Sequence, residues 1–254
     1  EAVLKAWLKF ALVWLAGALT LAACAKEKWE YVSIGGDFTY AMRWNEAYAA
    51  YIEEDLNVEV TLTDVSFHSR KTLADMLEQL QTDQEFRSLV ENAEVVTVSM
   101  PTESYIGGAM GRYQSGMCGG GDDQQCFRDA QARAETEYRL YLDELVSLAN
   151  PSDTIVRTFT WGSVDAWAMT IWNVEIPEEE MQVFIHHAYV LMDSVREISG
   201  EYGITVLDIA PIFQAEGLDQ PPGDRYVGSI GVTDEGVQVI ADMLRAAGYA
   251  PLKP

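Results

Sequence analysis

The chain of 254 residues is long enough for one globular domain with a hydrophobic core and too short for two domains of ordinary size. A hydrophobic content of 48% and an aromatic content of 11% exclude an intrinsically disordered chain. Forty acidic residues against 17 basic ones give a formal net charge of -23, which argues against nucleic-acid binding and against adsorption to anionic lipid through a basic patch.

The first 24 residues have the pattern of a secretory signal segment. Lys5 and Lys9 precede an apolar run over residues 10–23, which is shorter than the roughly 20 residues that a membrane-spanning helix needs. The Leu-Ala-Ala-Cys segment ending at Cys24 resembles the lipobox of bacterial lipoproteins, in which the cysteine is acylated and becomes the first residue of the mature chain. A buried helix and an uncleaved anchor are the alternatives. We predict a lipid anchor at Cys24, a linker over residues 25–30 and a membrane-held location in the bacterial cell envelope, outside the cytoplasm.

From residue 31 onward strand-like and helix-like segments alternate, which predicts a single domain over residues 31–254. Hydrophobic patterning predicts strands over residues 31–35, 58–65, 95–100, 154–161 and 203–208. The corresponding helices are predicted over residues 44–56, 72–80, 84–92, 125–148, 178–199 and 233–247. Residues 215–231, rich in Gly, Pro and Asp, have the composition of a long surface loop.

Strands that alternate with helices favour a parallel sheet covered on both faces. The fold class is therefore predicted as α/β, a three-layer α/β/α sandwich with a five-stranded, mostly parallel sheet of flavodoxin-like order. Ligands of such sheets bind beyond the carboxyl ends of the strands, so the loops at that edge are the ones expected to carry function.

Two cysteines flank a glycine-rich segment in the middle of the chain. Cys118 and Cys126 are close enough along the chain to meet, and an oxidising compartment would keep them joined as a disulfide. Two free thiols are the alternative. Asp122 and Asp123, between the cysteines, lack the ligand spacing of an EF-hand, so we predict a polar turn there and no calcium site.

The chain has three histidines, His68, His186 and His187. His186 and His187 fall within a predicted helix, where adjacent side chains project about 100° apart, so the two do not form a metal pair. No Cys/His cluster, phosphate-binding glycine loop or dinucleotide fingerprint is present. We therefore predict neither a metal nor a cofactor.

Four segments resemble, in order, the sequence blocks of the SGNH/GDSL ester hydrolases. Residues 31–37 (YVSIGGD) resemble the strand that leads into Gly-Asp-Ser, and residues 72–77 (TLADML) resemble the helix after the second-block glycine. Residues 95–100 (VVTVSM) resemble the third-block strand, and residues 233–242 (TDEGVQVIAD) the helix that follows Asp-x-x-His-Pro. The resemblance runs from residue 31 to the C-terminus and implies that family's fold. It also implies hydrolysis of esters by a serine, a histidine and an aspartate, with an oxyanion hole completed by a glycine and an asparagine.

The residues of that mechanism are replaced in this chain. The family's nucleophilic serine, second-block glycine, oxyanion asparagine, aspartate and histidine fall on Phe38, Arg70, Glu103, Gly228 and Gly231. A shift of one residue would move the second position to Ser69. A phenyl ring is not a nucleophile, and a carboxylate at Glu103 would repel a developing oxyanion. Because no histidine follows position 187, the base of the last block is missing wherever the alignment is drawn.

We therefore predict an SGNH-like exported lipoprotein that is non-hydrolytic or severely impaired. The alternative is a carboxylic ester hydrolase with relocated groups, in which His68 assists Thr39 or Ser104, and Asp37 or Glu103 orients the histidine. The competing interpretation is that His68 is an exposed loop residue without a catalytic role.

The expected partners are the membrane, through Cys24, and a small acyl or carbohydrate ester, and no nucleic acid. Five aromatic residues could form a stacking surface for such a ligand, although core packing explains most of them equally well. They are Trp161, Trp167, Trp172, Tyr105 and Tyr113.

Overall fold

The computed structural model describes residues 26–36, 43–66, 72–101, 103–161, 176–214, 226–228 and 231–252. Its strands are β1 (Lys28–Ile34), β2 (Glu59–Asp64), β3 (Val95–Ser99), β4 (Ile155–Thr160), β5 (Thr205–Asp208), β6 (Val227–Gly228) and β7 (Gly231–Val232). Its helices are α1 (Trp44–Leu56), α2 (Leu73–Thr82), α3 (Gln84–Glu91), α4 (Glu103–Gln114), α5 (Gln125–Ala149), α6 (Glu178–Glu201), α7 (Ala210–Phe213) and α8 (Asp234–Ala246).

Strands β1 to β5 form one sheet in the order β2-β1-β3-β4-β5. Every neighbouring pair is parallel, so all five carboxyl ends lie at the same edge of the sheet. This is the flavodoxin-like order that the alternation of strands and helices predicts, and the fold prediction is confirmed. Strands β6 and β7 form a separate antiparallel hairpin.

The two faces of the sheet are covered by different helices. All five residues of β3 are buried, as expected for a central strand with helices on both sides. Because side chains alternate between faces, Val96 and Val98 pack with helices α2 to α6, whereas Val95 packs with α1 and α8. The result is the predicted three-layer α/β/α sandwich.

Three features differ from the sequence-based expectation. The first strand begins at Lys28 and not at residue 31, and the predicted loop over residues 215–231 contains β6 and the start of β7. The segment after β3, expected to be a cleft loop carrying Tyr105 and Tyr113, is helix α4. Its glycines lower intrinsic helix propensity, but Ile106 and Met110 are buried in the core, so tertiary packing outweighs local preference.

The predicted signal segment and its Cys24 lie outside the described residues. Within the part of the chain that the structure describes, no helix is both long and apolar enough to cross a membrane.

Candidate functional site

The carboxyl edge of the sheet carries polar residues at the ends of its strands. Ser33 of β1 lies opposite Asp64 of β2 and Thr97 of β3, and its buried hydroxyl lacks a hydrogen-bond partner among the described residues. Ser99 ends β3, and its hydroxyl accepts a hydrogen bond of 2.9 Å from the indole Nε1 of Trp161. Trp161 is only 1% exposed, so core packing accounts for this ring.

Two carboxylates at this edge hold helices against the sheet. Asp64, at the end of β2, accepts hydrogen bonds from Asn45 Nδ2 of α1 (3.1 Å) and from the backbone N–H of Ser66 (2.8 Å). Asp208, at the end of β5, accepts from the Thr160 hydroxyl (2.6 Å) and from Arg196 Nη2 of α6 (2.9 Å). Sequence reasoning assigned neither residue a role, although each falls at or near the end of a predicted strand. These hydrogen bonds give both carboxylates a structural role.

The last family block forms a hairpin that leads directly into helix α8. Gly228 and Gly231 are paired across the two strands of this hairpin, so the structure brings together the two positions that correspond to the family's aspartate and histidine. Thr233 caps α8 by accepting a hydrogen bond of 3.1 Å from the backbone N–H of Gly236. Neither glycine has a side chain that could act as an acid or a base.

The second family block also begins with a capped helix. Thr72 Oγ1 accepts a hydrogen bond from Asp75 N (3.3 Å), and Asp75 Oδ2 accepts one from Thr72 N (2.7 Å). This reciprocal capping box fixes the start of α2.

Several residues of the predicted site fall outside the described part of the chain. They are Phe38, Thr39, His68, Arg70, Asp37, Ser69, Trp167 and Trp172. Glu103 and Ser104 are the first two residues of α4, shortly after the end of β3. Within the described residues, no group of three or more His, Cys, Asp or Glu side chains is arranged to hold a metal ion.

His187 is packed between helices α5 and α6. Its ring stacks on Phe127 with centroids 4.5 Å apart, and its Nε2 lies 3.0 Å from Oε1 of Gln124. Burial, followed by the positive charges of His186 and Arg128, lowers the pKa of His187 to about 4. The imidazole is therefore neutral near pH 7 and serves as a packing group between the two helices.

Cys118 and Cys126 form the predicted disulfide, with their Cα atoms 4.7 Å apart. The turn between them is polar, because Asp123 Oδ1 accepts from Gly119 N (2.8 Å) and Asp122 forms a salt bridge with Arg128. Hydrogen bonding to this guanidinium lowers the pKa of Asp122 well below its usual range. Both carboxylates are thus engaged within the turn.

A groove of about 330 Å³ opens between α4 and α5. Tyr105 forms one of its walls, buried beneath the guanidinium of Arg133. The Tyr105 hydroxyl donates to Glu137 and accepts from Leu73 N at 3.2 Å. Burial, with the hydrogen bond to Glu137, raises the pKa of Tyr105 strongly. Tyr105 is thus a structural contact between three helices.

No protein-family model matches this sequence, and no curated protein matches it either. Solved structures do match it. The lipase Lip_vut3 from a goat rumen metagenome is 17% identical with a TM-score of 0.68, over 89% of this chain and 100% of that chain. A GDSL-like lipase from Bacteroides thetaiotaomicron is 12% identical with a TM-score of 0.52, over 86% of each chain.

A catalytic mutant of Axe2, an acetylxylan esterase from Geobacillus stearothermophilus, is 12% identical with a TM-score of 0.58, over 90% of this chain and 98% of that chain. At these identities the likeness establishes the fold and not the activity. The parallel sheet of order β2-β1-β3-β4-β5, the hairpin before α8 and these neighbours together show that the chain has the SGNH/GDSL hydrolase fold.

Proposed function

We propose that this protein is an SGNH-fold lipoprotein of the cell envelope, anchored through Cys24, that does not hydrolyse esters by its family's Ser-His-Asp mechanism. The observation that carries the proposal is the hairpin before α8, in which Gly228 and Gly231 are paired. The sequence resemblance assigns the family's aspartate and histidine to these two positions. Without an imidazole there, nothing at this position takes the proton of an attacking hydroxyl. The retained function is ligand binding at the carboxyl edge of the sheet, with a small acyl or carbohydrate ester as the ligand.

The other replacements are consistent with this proposal. Phe38 stands at the nucleophile position, and Glu103 stands where the family has an asparagine that donates to the oxyanion. Scaffold features of the same blocks remain, since Thr72 and Thr233 still cap their helices. The fold has thus been kept in a chain whose catalytic side chains have changed.

Turnover of a short activated ester by the purified protein, combined with labelling by a serine-reactive phosphonate, tests the proposal. We expect neither turnover above the buffer rate nor attachment of the probe. Turnover together with labelling would support the relocated mechanism. In that case, loss of activity in His68→Ala, Thr39→Ala or Ser104→Ala would identify the groups involved.

Restoration of the family residues provides a second test. We expect the triple variant Phe38→Ser, Gly228→Asp, Gly231→His to gain measurable esterase activity, because each side chain would return to its place on a retained scaffold. The matched control carries Phe38→Ala with the same two glycine replacements and should remain inactive. A triple variant that folds but is wholly inert would contradict the assignment of these positions.

The proposed anchor is tested separately by the mass of the mature N-terminus. Acyl chains on Cys24 are expected, and Cys24→Ala should release the protein from the membrane fraction. An unmodified Cys24 would contradict the anchor without affecting the proposal about catalysis.

A further inference from the structure

Very little chain separates the proposed lipidation site from the folded domain. The backbone is already hydrogen-bonded to the sheet three residues after Cys24. The Glu27 carbonyl accepts a hydrogen bond of 2.8 Å from Glu59 N, and the side-chain Nζ of Lys26 lies 3.5 Å from the carbonyl oxygen of Val58. Three Cα–Cα steps of about 3.8 Å allow at most about 11 Å between Cys24 and Glu27. A lipid on Cys24 would therefore hold the start of β1 next to the bilayer surface.

The direction of β1 then determines which edge of the sheet is near the membrane. β1 runs from Lys28 to Ile34, and at about 3.3 Å per residue its carboxyl end lies about 20 Å from its start. The other four strands are parallel to β1, so their carboxyl ends are displaced in the same direction. If the sheet were inverted, the start of β1 would lie about 20 Å from the bilayer, which is beyond the reach of a tether of about 11 Å.

We infer that the anchor holds the amino edge of the sheet against the membrane and keeps the carboxyl edge turned away from it, toward the aqueous phase. This inference rests on the proposed lipidation of Cys24. The site at the carboxyl edge then takes water-soluble ligands, such as acylated carbohydrates, and does not reach the lipids of the bilayer that carries the protein.

The charges at the amino edge indicate that the tether, and not adhesion, sets this orientation. Lys26 and Lys28 are exposed beside the anchor point, but Lys28 forms a salt bridge with Glu59 and the Lys26 ammonium lies near the carbonyl oxygen of Val58. Exposed acidic residues lie at the same edge, including Glu91 at the end of α3 and Asp153 in the turn before β4. The surface is therefore not a basic patch, and a long tether in place of the short one would remove the orientation.

The inference is tested by short-range fluorescence quenching. Full-length lipidated protein carrying a fluorophore on either Glu91→Cys or Asp234→Cys is placed in phosphatidylcholine vesicles whose headgroups bear a nitroxide quencher. The two sites are matched, because both are exposed acidic residues. Glu91 ends α3 near the amino end of β3, whereas Asp234 begins α8, within electrostatic reach of Arg43 after β1.

We expect quenching at position 91 and none at position 234. Insertion of an approximately 20-residue Gly/Ser linker between Ala25 and Lys26 should make the two sites equally accessible, because such a linker spans about 25 Å. Equal quenching at both sites in the short-tether protein, or stronger quenching at position 234, would overturn the orientation. If mass spectrometry finds no acyl chains and the protein fails to float with the vesicles, both the anchor and the orientation are wrong. If the protein is acylated and floats but the quenching pattern differs from the expected one, only the orientation is wrong.

Discussion

Gly236 packs closely against the chain segment that precedes α8. It lies in the first turn of α8, where an added Cβ would come within 2.3 Å of Val232 Cγ1 and 2.5 Å of the Tyr226 carbonyl oxygen. We expect Gly236→Ala to lower the free energy of unfolding by about 1–3 kcal/mol, because the backbone of the hairpin would have to move. Urea denaturation measures the change.

Gly108 provides the matched control for this substitution. It is also helical, but it is exposed and a Cβ there would meet no atom within 4 Å. Gly108→Ala should therefore stabilise the protein by about 0.5–1 kcal/mol through backbone entropy. Equal effects at the two glycines would contradict the packing described for Gly236.

His187 is expected to make the protein less stable as the pH falls below 6.5. Its pKa is lowered from 6.5 to about 4 in the folded state, so between these values the unfolded chain binds a proton that the folded one does not. Its contribution is fully present above pH 6.5 and is lost progressively as the pH falls toward 4. The loss totals no more than about 3.4 kcal/mol, at 1.36 kcal/mol per pKa unit.

His187→Gln should flatten this part of the stability profile, and denaturation midpoints measured between pH 7 and pH 4.5 would show it. The control is His186→Gln on the same helix, whose ring is exposed. We expect its profile to keep most of the original slope, because burial is the first cause of the lowered pKa of His187 and the charge of His186 is a smaller one. A slope that persists in His187→Gln would show that other groups cause it.

At the scale of elements, predictions succeed where hydrophobic spacing is strong and fail where packing decides. The predicted bounds of α1 are confirmed at both ends, because its apolar residues follow helical spacing and Asn57 ends the helix in a left-handed conformation. Helix α4 escaped prediction because Gly107, Gly108 and Gly111 resemble a loop in isolation. Only the burial of its other face against α5 reveals why this segment is helical.

The disulfide connects Cys118, in the segment after α4, with Cys126, at the start of α5. Closing a loop of about nine residues is expected to stabilise the fold by about 2.5 kcal/mol by restricting the unfolded chain. Reduction, or the pair Cys118→Ala and Cys126→Ala, should lower stability by that amount in chemical denaturation. In the double variant a reducing agent should have no further effect; a further shift would mean that reduction acts elsewhere.

At the scale of the whole molecule, the formal net charge is -23, so the excess acidic side chains repel one another in the folded state. Screening shortens the Debye length from about 30 Å at 0.01 M salt to about 10 Å at 0.1 M. We therefore expect the melting temperature to rise as sodium chloride is added over this range, as measured by circular dichroism. The variant Glu78→Gln, Glu91→Gln, which removes two exposed charges, should show a smaller rise. A melting temperature that does not change with sodium chloride concentration would contradict this account.

The amino-acid sequence by itself determined the order of strands and helices, the parallel sheet and the absence of a histidine beyond position 187. Those features depend on local periodicity, on spacing and on residue counts, all of which can be read from the sequence alone. Only the tertiary structure decided that Gly228 and Gly231 face each other, that His187 is a buried packing group and that Asp64 and Asp208 are engaged in hydrogen bonds. The contacts of His187, Asp64 and Asp208 join residues far apart in the chain and exist only once the layers have packed, whereas the pairing of Gly228 and Gly231 requires the local hairpin to form.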